Sequence, residues 1–235
     1  MARTYLYKLT SDRGGAPCAP APRAGQDPLL TLSICKPAIR RTAEVGDRIL
    51  GVTSRSLVER EGYPENAVIY AAIVSGAHDA REYYAPRSPF RSRPDCIYQF
   101  HRDNGELRHT GQTPLHADEA YRARDLGQYP FYRNGRTLLA RDFRYFGPEA
   151  VPLTQRWPLL LQATQALGQG HRVYTPDAPE LRELESLFRT LWARPTRHSP
   201  SRVTDESYGH TPRAQKGKGP AGKGGSLMNV GRRGC

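Results

Sequence analysis

Hydrophobic and polar positions alternate in short runs along most of this chain, and the clearest succession lies in residues 31–53. An apolar run that includes Leu32 stops at Pro37, and a basic turn and the pair Gly46-Asp47 lead into a second apolar run. Proline suits the first turn of a helix because its missing N–H has no partner there, and glycine takes the positive φ of a tight turn. The pattern predicts strand, short helix, turn and strand.

The same patterns predict the other elements. Apolar runs predict further strands at residues 5–9, 67–75, 95–100 and 136–146. Asp79 is placed to cap a short helix, and a run led by proline predicts another helix at residues 158–167. Leucines and aromatics spaced by three and four predict an amphipathic helix ending at Trp192, with a capping box of Asp177 and Glu180. Polar stretches predict loops at residues 12–27, 54–66 and 106–124.

This mixture of elements predicts an α+β fold. We expect a curved, mainly antiparallel sheet or a partly open β-barrel, with short helices beside it and an amphipathic helix at the end of the folded part. From residue 195 the chain is dominated by Ser, Gly, Pro, Lys and Arg. Such a stretch buries too little apolar surface to offset its ordering entropy. We therefore predict a domain over residues 1–194 and a disordered basic tail over residues 195–235.

The charge of the chain favours polyanionic partners. Its 235 residues include 35 Lys and Arg against 23 Asp and Glu, a formal net charge of +12. Eight of the basic and two of the acidic residues lie in the predicted tail, which therefore carries +6. Nucleic acid is the commonest polyanion that such proteins meet. Since half of the charge belongs to the tail, it does not by itself indicate a strongly basic surface on the folded part.

Targeting signals and cysteine spacing indicate a cellular compartment. The chain shows no charged-then-apolar leader, and no apolar run approaches the roughly 20 residues that cross a bilayer. The four cysteines lack close pairing. We therefore expect a cytoplasmic protein with reduced thiols and no membrane association.

Potential metal ligands are scattered. No CxxC pair occurs, and three histidines fall in a polar loop where exposure is the usual state. The cysteines and histidines concerned are Cys18, Cys35, Cys96, His101, His109 and His116. We predict no metal site, and the sequence leaves the cofactor unknown.

Cys96 is the thiol with the better case for chemistry. It follows Asp95 at the start of a predicted strand, and a nucleophilic thiol needs a nearby base or cation, which His101 or Arg93 could supply. A cysteine in a strand is more often a small buried hydrophobe. Buried packing is the favoured interpretation of Cys96, and the same holds for Cys35.

Aromatic residues interleaved with arginines leave two interpretations open. Bases stack on aromatic faces and arginine binds phosphate through two N–H groups, so the set fits a pocket for a nucleotide or a flipped base. The favoured alternative is that most of these rings form the core of a small β-rich domain. The rings are Tyr83, Tyr84, Tyr98, Phe100, Tyr129, Phe131, Tyr132, Phe143, Tyr145 and Phe146.

Four separated blocks resemble the nucleotide-modification-associated domain family, in its second or third class. The blocks begin at Asp12 (DRGGAP), Leu32 (LSICKPAIRRTAEVGDRILG), Asp95 (DCIY) and Leu138 (LLARDFRYFG). The resemblance covers most of residues 5–192. It implies a part in phage and bacterial systems that make or handle modified nucleotides in DNA. The turn at residues 46–51 is also similar in outline to the EVE and ASCH domains of the PUA-like β-barrels, which bind modified bases or RNA.

We therefore expect a protein that recognises or handles modified nucleotides, in DNA more than in RNA. The expected contacts are Lys36, Arg40 and Arg41 to phosphate and Tyr98 or Tyr145 to a base. One alternative is an enzyme of DNA base hypermodification, whose catalytic candidates are Asp12, Asp47, Asp95 and Cys96. Another is a non-enzymatic scaffold tethered to nucleic acid by the basic tail. The sequence leaves the modified base and the oligomeric state open.

Overall fold

The computed structural model describes residues 2–168 and 170–200. The strands are β1 (Thr4–Leu9), β2 (Leu30–Leu32), β3 (Arg48–Thr53), β4 (Ala67–Ile73), β5 (Gly76–His78), β6 (Tyr98–Phe100), β7 (Leu107–His109), β8 (Thr137–Ala140), β9 (Asp142–Tyr145), β10 (Val151–Pro152) and β11 (His171–Tyr174). The helices are α1 (Pro37–Thr42), α2 (Arg55–Glu61), α3 (Ala80–Tyr83), α4 (Glu119–Leu126), α5 (Pro158–Ala166) and α6 (Leu181–Trp192). The fold is mixed α+β.

A six-stranded sheet forms the centre of the molecule. Its strand order is β10-β4-β3-β1-β11. Strand β4 pairs with β10 at residues 67 and 68 and with β9 at residues 70–73. Strands β1 and β3 are parallel and the other pairs are antiparallel, as expected for a mainly antiparallel sheet. Within the described residues this sheet does not close into a barrel. The outline likeness to PUA-like domains stays a prediction.

Two smaller sheets, β2-β8-β5 and β6-β7, complete the strand pairing. The prediction of one strand over residues 136–146 is wrong, because the chain changes sheets at exposed Arg141 between β8 and β9. The strand predicted before Pro37 also stops earlier, at Leu32. Each segment alternates well enough for a strand, but only the packing of neighbouring sheets shows where the chain must turn.

Two predicted loops contain regular structure. Residues 54–66 hold α2, which Ser54 caps by accepting the N–H of Leu57 and which ends at Gly62 with φ 70°. Residues 106–124 hold β7 and most of α4, whose first turn is capped by Asp118. Both helices are short and largely polar, so their hydrophobic period is weak and the cap residues are the main local signal.

The helix caps divide into one prediction that is confirmed and one that is wrong. At α3, Asp79 accepts the N–H of Glu82, and the Glu82 side chain accepts the N–H of Asp79. At α6 the capping box is absent, since Glu180 is the N-cap residue and makes no side-chain capping bond.

Both faces of the central sheet are buried. One face carries Leu6, Leu50 and Ala71 and packs against α5 and α6. The opposite face carries Tyr7 and Tyr145 and packs against α1 and the β2-β8-β5 sheet. A third apolar cluster gathers around α3, α4 and the β6-β7 hairpin. The segment between β2 and α1 lies between this third cluster and the apolar cluster on the Tyr7 face of the sheet. The candidate site is formed there.

The chain continues to contact the folded part after α6. The N–H of Arg197 donates to the carbonyl of Tyr145 at 2.7 Å, and Ser199 exchanges hydrogen bonds with the backbone of Ala19. The domain boundary after residue 194 stays a prediction. Most of the predicted disordered tail, residues 201–235, lies outside the described residues. In the ranges that the structure describes, no helix is both long and apolar enough to span a membrane.

Candidate active site

Cys35 occupies the turn that carries the chain from β2 into α1. Its φ is 57° and that of Lys36 is 40°, so two consecutive non-glycine residues adopt the left-handed conformation. Each such residue costs about 1–3 kcal/mol and persists only where its surroundings hold it. The thiol is half-buried rather than enclosed in the core. Strain of this kind beside an accessible thiol is typical of a functional position.

His116 lies against the Cys35 thiol. The Sγ atom of Cys35 is 3.4 Å from Nε2 of His116, and Nδ1 of the same ring is 2.5 Å from Oδ2 of Asp125. The carboxylate of Asp125 can only accept, so Nδ1 carries a proton and Nε2 of the neutral ring presents its lone pair to the thiol. This order of nucleophile, base and orienting carboxylate is that of a catalytic triad.

Asp125 is fully buried and joins the three residues into one unit. Its Oδ1 accepts the backbone N–H of Cys35 at 2.8 Å, and its Oδ2 accepts the hydroxyl of Tyr98 at 2.8 Å as well as the His116 proton. The carboxylate therefore fixes the backbone of the nucleophile and the ring of the base together. On the other side of the base, the Tyr121 ring stacks on His116 with centroids 4.5 Å apart.

Arg40 holds the backbone around these three residues in place. Its side chain is fully buried, and its guanidinium donates to four backbone carbonyls, which belong to Cys35, Asp125, Asn134 and Arg136. Burial lowers the pKa of Arg40, while the charge of Asp125 acts in the opposite direction. The sequence predicts a phosphate contact for Arg40, but the structure directs its N–H groups inward at carbonyl oxygens.

The other predicted nucleotide contacts are spread over different surroundings. Arg41 is exposed and donates to the side chain of Asn134, and Lys36 lies over the Tyr7 ring, 4.9 Å from its centroid. Tyr98 and Tyr145 are both buried, with 0% and 2% of their surface exposed. Neither ring offers the open face that base stacking needs, so the structure does not favour that role for them.

Asp95 and Cys96 belong to a different buried cluster. The Asp95 carboxylate accepts the hydroxyls of Thr31, Ser33 and Tyr83 at 2.6–2.9 Å, and no part of it is exposed. Burial raises the pKa of the Cys96 thiol to about 11, so it stays protonated at neutral pH. These contacts tie β2 to the segment before β6 and leave neither group open to a substrate.

Asp12 lies at the end of a row of tyrosines across the central sheet. Tyr7, Tyr70 and Tyr145 occupy paired positions on three strands, and Gly51 lies between the first two. A Cβ at Gly51 would lie 2.2 Å from the Tyr70 ring, so the glycine lets the hydroxyls of Tyr7 and Tyr70 meet at 2.8 Å.

The carboxyl of Asp12 accepts the hydroxyls of Tyr145 and Tyr63. Burial raises its pKa to about 6, against the lowering effect of both hydrogen bonds.

Asp47, the last carboxylate among the sequence candidates, closes a turn. It accepts from the backbone and guanidinium of Arg3 and from the N–H of Glu44. Burial alone would raise its pKa, but these hydrogen bonds hold the pKa below its ordinary value. In residues 2–168 and 170–200, no group of three or more His, Cys, Asp and Glu side chains is placed to hold a metal ion.

Residues 1–207 match the family model described as nucleotide modification associated domain 2. The chain belongs to this family. Of the two classes expected from the sequence, the second is therefore the one supported. No curated protein and no solved structure matches the chain.

For this member of the nucleotide modification associated domain 2 family, sequence reasoning missed the arrangement that the fold assembles. Cys35 was expected to be buried and His116 to be exposed, and Asp125 was not a candidate. These residues are separated by 81 and nine positions, so no local motif links them. The one local signal is the placement of Cys35 immediately before Lys36 and the helix-starting Pro37.

Proposed function

We propose that this chain is a thiol-dependent acyl-transfer enzyme that acts on modified nucleotides. The observation that carries the proposal is the approach of Cys35 to His116, whose other nitrogen is bound by the buried carboxylate of Asp125. The family description, nucleotide modification associated domain 2, supports the nucleotide context. DNA rather than RNA is the proposed setting, as the sequence resemblance implies.

Each step of the reaction uses one of these groups. Nε2 of His116 takes the thiol proton as the sulfur of Cys35 attacks an amide or ester carbonyl on the nucleotide. The carbonyl carbon then loses its nitrogen or oxygen leaving group, which receives the proton from His116, and a thioester with Cys35 remains. Water or an amine attacks the thioester, His116 accepts the proton of the attacking group, and the thiol is restored. Water yields a carboxylic acid, whereas an amine yields a new amide.

Asp125 and Arg40 contribute by position. Asp125 holds the tautomer of His116 and compensates the positive charge that the ring gains when it takes the proton. It also holds the N–H of Cys35, and Arg40 holds the Cys35 carbonyl, so the nucleophile is fixed at both ends of its peptide backbone. Such fixation keeps the sulfur within reach of the base before a substrate arrives.

Basic residues next in sequence give the site a means to bind phosphate. Lys36 follows the nucleophile directly, and exposed Arg41 lies on α1. We retain both as proposed phosphate contacts. A protein that only recognises modified nucleotides has no use for a base and an orienting carboxylate beside a thiol. The geometry therefore favours the enzyme over the reader.

The first test measures the reactivity of Cys35. The full chain, carrying Cys235→Ser to remove a thiol outside the described residues, is treated with limiting iodoacetamide at about pH 6, and each cysteine is quantified by peptide mass spectrometry. We expect the alkylation rate of Cys35 to fall at least about tenfold in His116→Ala, whereas the buried Cys96 reacts slowly in both proteins. An alkylation rate of Cys35 that is the same in the native chain and in His116→Ala would contradict an activated thiol.

The second test looks for the covalent intermediate. The same protein is mixed with N4-acetyl-dCMP and with single-stranded DNA that contains N4-acetylcytosine, and is quenched with acid before intact mass spectrometry. We expect one acetyl group on Cys35, with deacetylated nucleotide as product. Cys35→Ser should abolish the product and Cys96→Ser should leave it unchanged. If Cys35 is not activated in the first test and no acetyl group is transferred here, the proposal fails.

A further inference from the structure

The loop at residues 127–136 presents two aromatic rings to solvent between α4 and β8. Phe131 is 76% exposed and Tyr129 is 48% exposed, whereas Tyr132 between α4 and the β6-β7 hairpin is 6% exposed. Most aromatic residues of this chain lie in the core. Large exposed rings close together are uncommon on a protein surface and mark binding sites.

The loop is held in place, so its exposed rings are not the result of loose packing. The Tyr129 hydroxyl donates to the carbonyl of Asn104 at 2.9 Å, and Arg81 donates to the carbonyl of Pro130 at 3.1 Å. The hydroxyl of Tyr132 accepts the N–H of Leu107 at 2.5 Å. These bonds anchor both sides of Phe131 to α3 and to the β6-β7 hairpin.

The surroundings of the rings are rich in arginine. Arg133 and Arg81 are exposed on the loop and on the adjoining α3, and Arg102 is exposed in the hairpin turn that Tyr129 touches. Exposed acids also lie beside them: Asp103 lies against His101, and Asp79 and Glu82 are engaged with each other in the capping box of α3. Exposed rings interleaved with arginines complement a chain of phosphates that carries unpaired bases.

The loop is also connected to the candidate nucleophile. At its end, the carbonyl of Asn134 accepts from Arg40, the same guanidinium that holds the carbonyl of Cys35. Arg41 donates to the side chain of Asn134 as well. One buried side chain therefore holds both the end of the loop and the segment that carries the thiol.

We infer that Tyr129 and Phe131 form a stacking platform for a single strand of nucleic acid and so deliver a neighbouring nucleotide to Cys35. The inference rests on the proposed function for the role of Cys35, but the binding itself does not depend on it. A single strand is the occupant because base pairs in a duplex cover the faces of their bases, whereas an unpaired base can lie on an aromatic ring.

The test compares variants of the full chain, so that residues outside the described part contribute equally to each. Fluorescence anisotropy measures binding of a labelled oligodeoxythymidine of about 12 nucleotides, at raised salt so that non-specific attraction is weakened. We expect Phe131→Ala to weaken binding by about 5- to 100-fold and Tyr129→Ala by a smaller factor in the same direction. The control is Leu159→Ala, another exposed apolar residue, in α5, which packs against the face of the central sheet that carries Leu6.

Three further results test whether the two rings act as a stacking platform. Arg133→Gln should reduce the dependence of the binding constant on salt, since it removes one phosphate contact. A duplex of the same length should bind with no dependence on Phe131. An affinity for the single strand that is unchanged by Phe131→Ala and Tyr129→Ala would overturn the platform.

Failure of the platform and failure of the enzyme proposal give different results. Phe131→Ala should leave alkylation of Cys35 by iodoacetamide unchanged, because that small reagent needs no stacking. If Cys35 is not activated but the ring variants still weaken strand binding, only the enzyme proposal is contradicted. If Cys35 is activated but neither ring variant changes strand binding, only the platform is contradicted. Circular dichroism of each variant verifies that the fold is retained.

Discussion

The Nε atom of Arg40 donates a hydrogen bond of 2.7 Å to the carbonyl oxygen of Cys35, five residues before it in the chain. The same guanidinium reaches the carbonyl of Asp125, so one buried side chain touches the backbone of both ends of the proposed triad. A planar group with several fixed donors can satisfy carbonyls from separate segments at once. The geometry of the thiol and of its orienting carboxylate therefore depends on Arg40.

The first prediction concerns Arg40→Lys. An ammonium group keeps the charge but cannot reach all four carbonyls, so buried acceptors lose their donors. We expect the free energy of unfolding, measured in urea, to fall by about 2–4 kcal/mol. We also expect the alkylation rate of Cys35 in the folded protein to fall toward that of His116→Ala.

The neighbouring position supplies a matched control for this change. Arg41 is exposed, so Arg41→Lys should alter the free energy of unfolding by less than about 0.5 kcal/mol. Equal effects at the two positions would contradict the supporting role of Arg40.

A substitution at Asp95 distinguishes a structural role of this carboxylate from a catalytic role. Asp95→Asn places an amide donor among the hydroxyls of Thr31, Ser33 and Tyr83, which all donate to the native carboxylate. We expect a loss of about 2–3 kcal/mol in the free energy of unfolding, with unchanged alkylation of Cys35. Loss of the chemistry in a variant of native stability would restore Asp95 as the catalytic candidate that the sequence suggested. The exposed Asp103→Asn is the control for the change of charge.

Asp12 gives a prediction for the pH dependence of stability. Its pKa in the fold is about 6, against an ordinary value of 3.8 for an aspartate, so the folded state binds its proton more tightly than the unfolded state. The contribution of Asp12 is therefore fully present below about pH 4 and is lost as the pH rises through about 6, by about 3 kcal/mol.

The matching measurement compares urea unfolding of the native chain and of Asp12→Asn at about pH 4 and about pH 7. The asparagine does not titrate, so the stability of the variant relative to the native chain should rise by about 2.4 kcal/mol between the two pH values. Carboxylates whose pKa is lowered, such as Asp47, act with the opposite sign in both proteins and cancel in the difference. A difference that is the same at both pH values would show that the pKa of Asp12 is not raised.

Gly51 is required by the tyrosines beside it. In Gly51→Ala the new Cβ would lie 2.2 Å from the Tyr70 ring and 2.5 Å from Cδ1 of Leu9, both inside the core. We expect the free energy of unfolding to fall by about 3 kcal/mol, with separation of the hydroxyls of Tyr7 and Tyr70. Gly76→Ala in β5 is the control, because the nearest side-chain atom lies at 3.8 Å. Similar melting temperatures for the two variants would contradict this packing.

The sequence by itself determined the elements whose signals are local. The apolar run of β4, the proline that starts α1 and the Asp79 cap of α3 each lie within a few residues, and the structure contains all three. Propensity and capping depend on neighbours in the chain, so they can be recognised without knowledge of the fold. The family resemblance likewise came from the order of blocks in the sequence.

Only the tertiary structure decided which side chains form the site. Arg40 and Arg41 are adjacent in α1 and look alike in the sequence, but one is buried against four carbonyls and the other is exposed, because consecutive helical residues point in different directions. Cys35 meets His116 across 81 positions, since packing of α4 and its preceding loop against the start of α1 brings them together. Contacts of this length depend on how elements pack, and no local pattern encodes them.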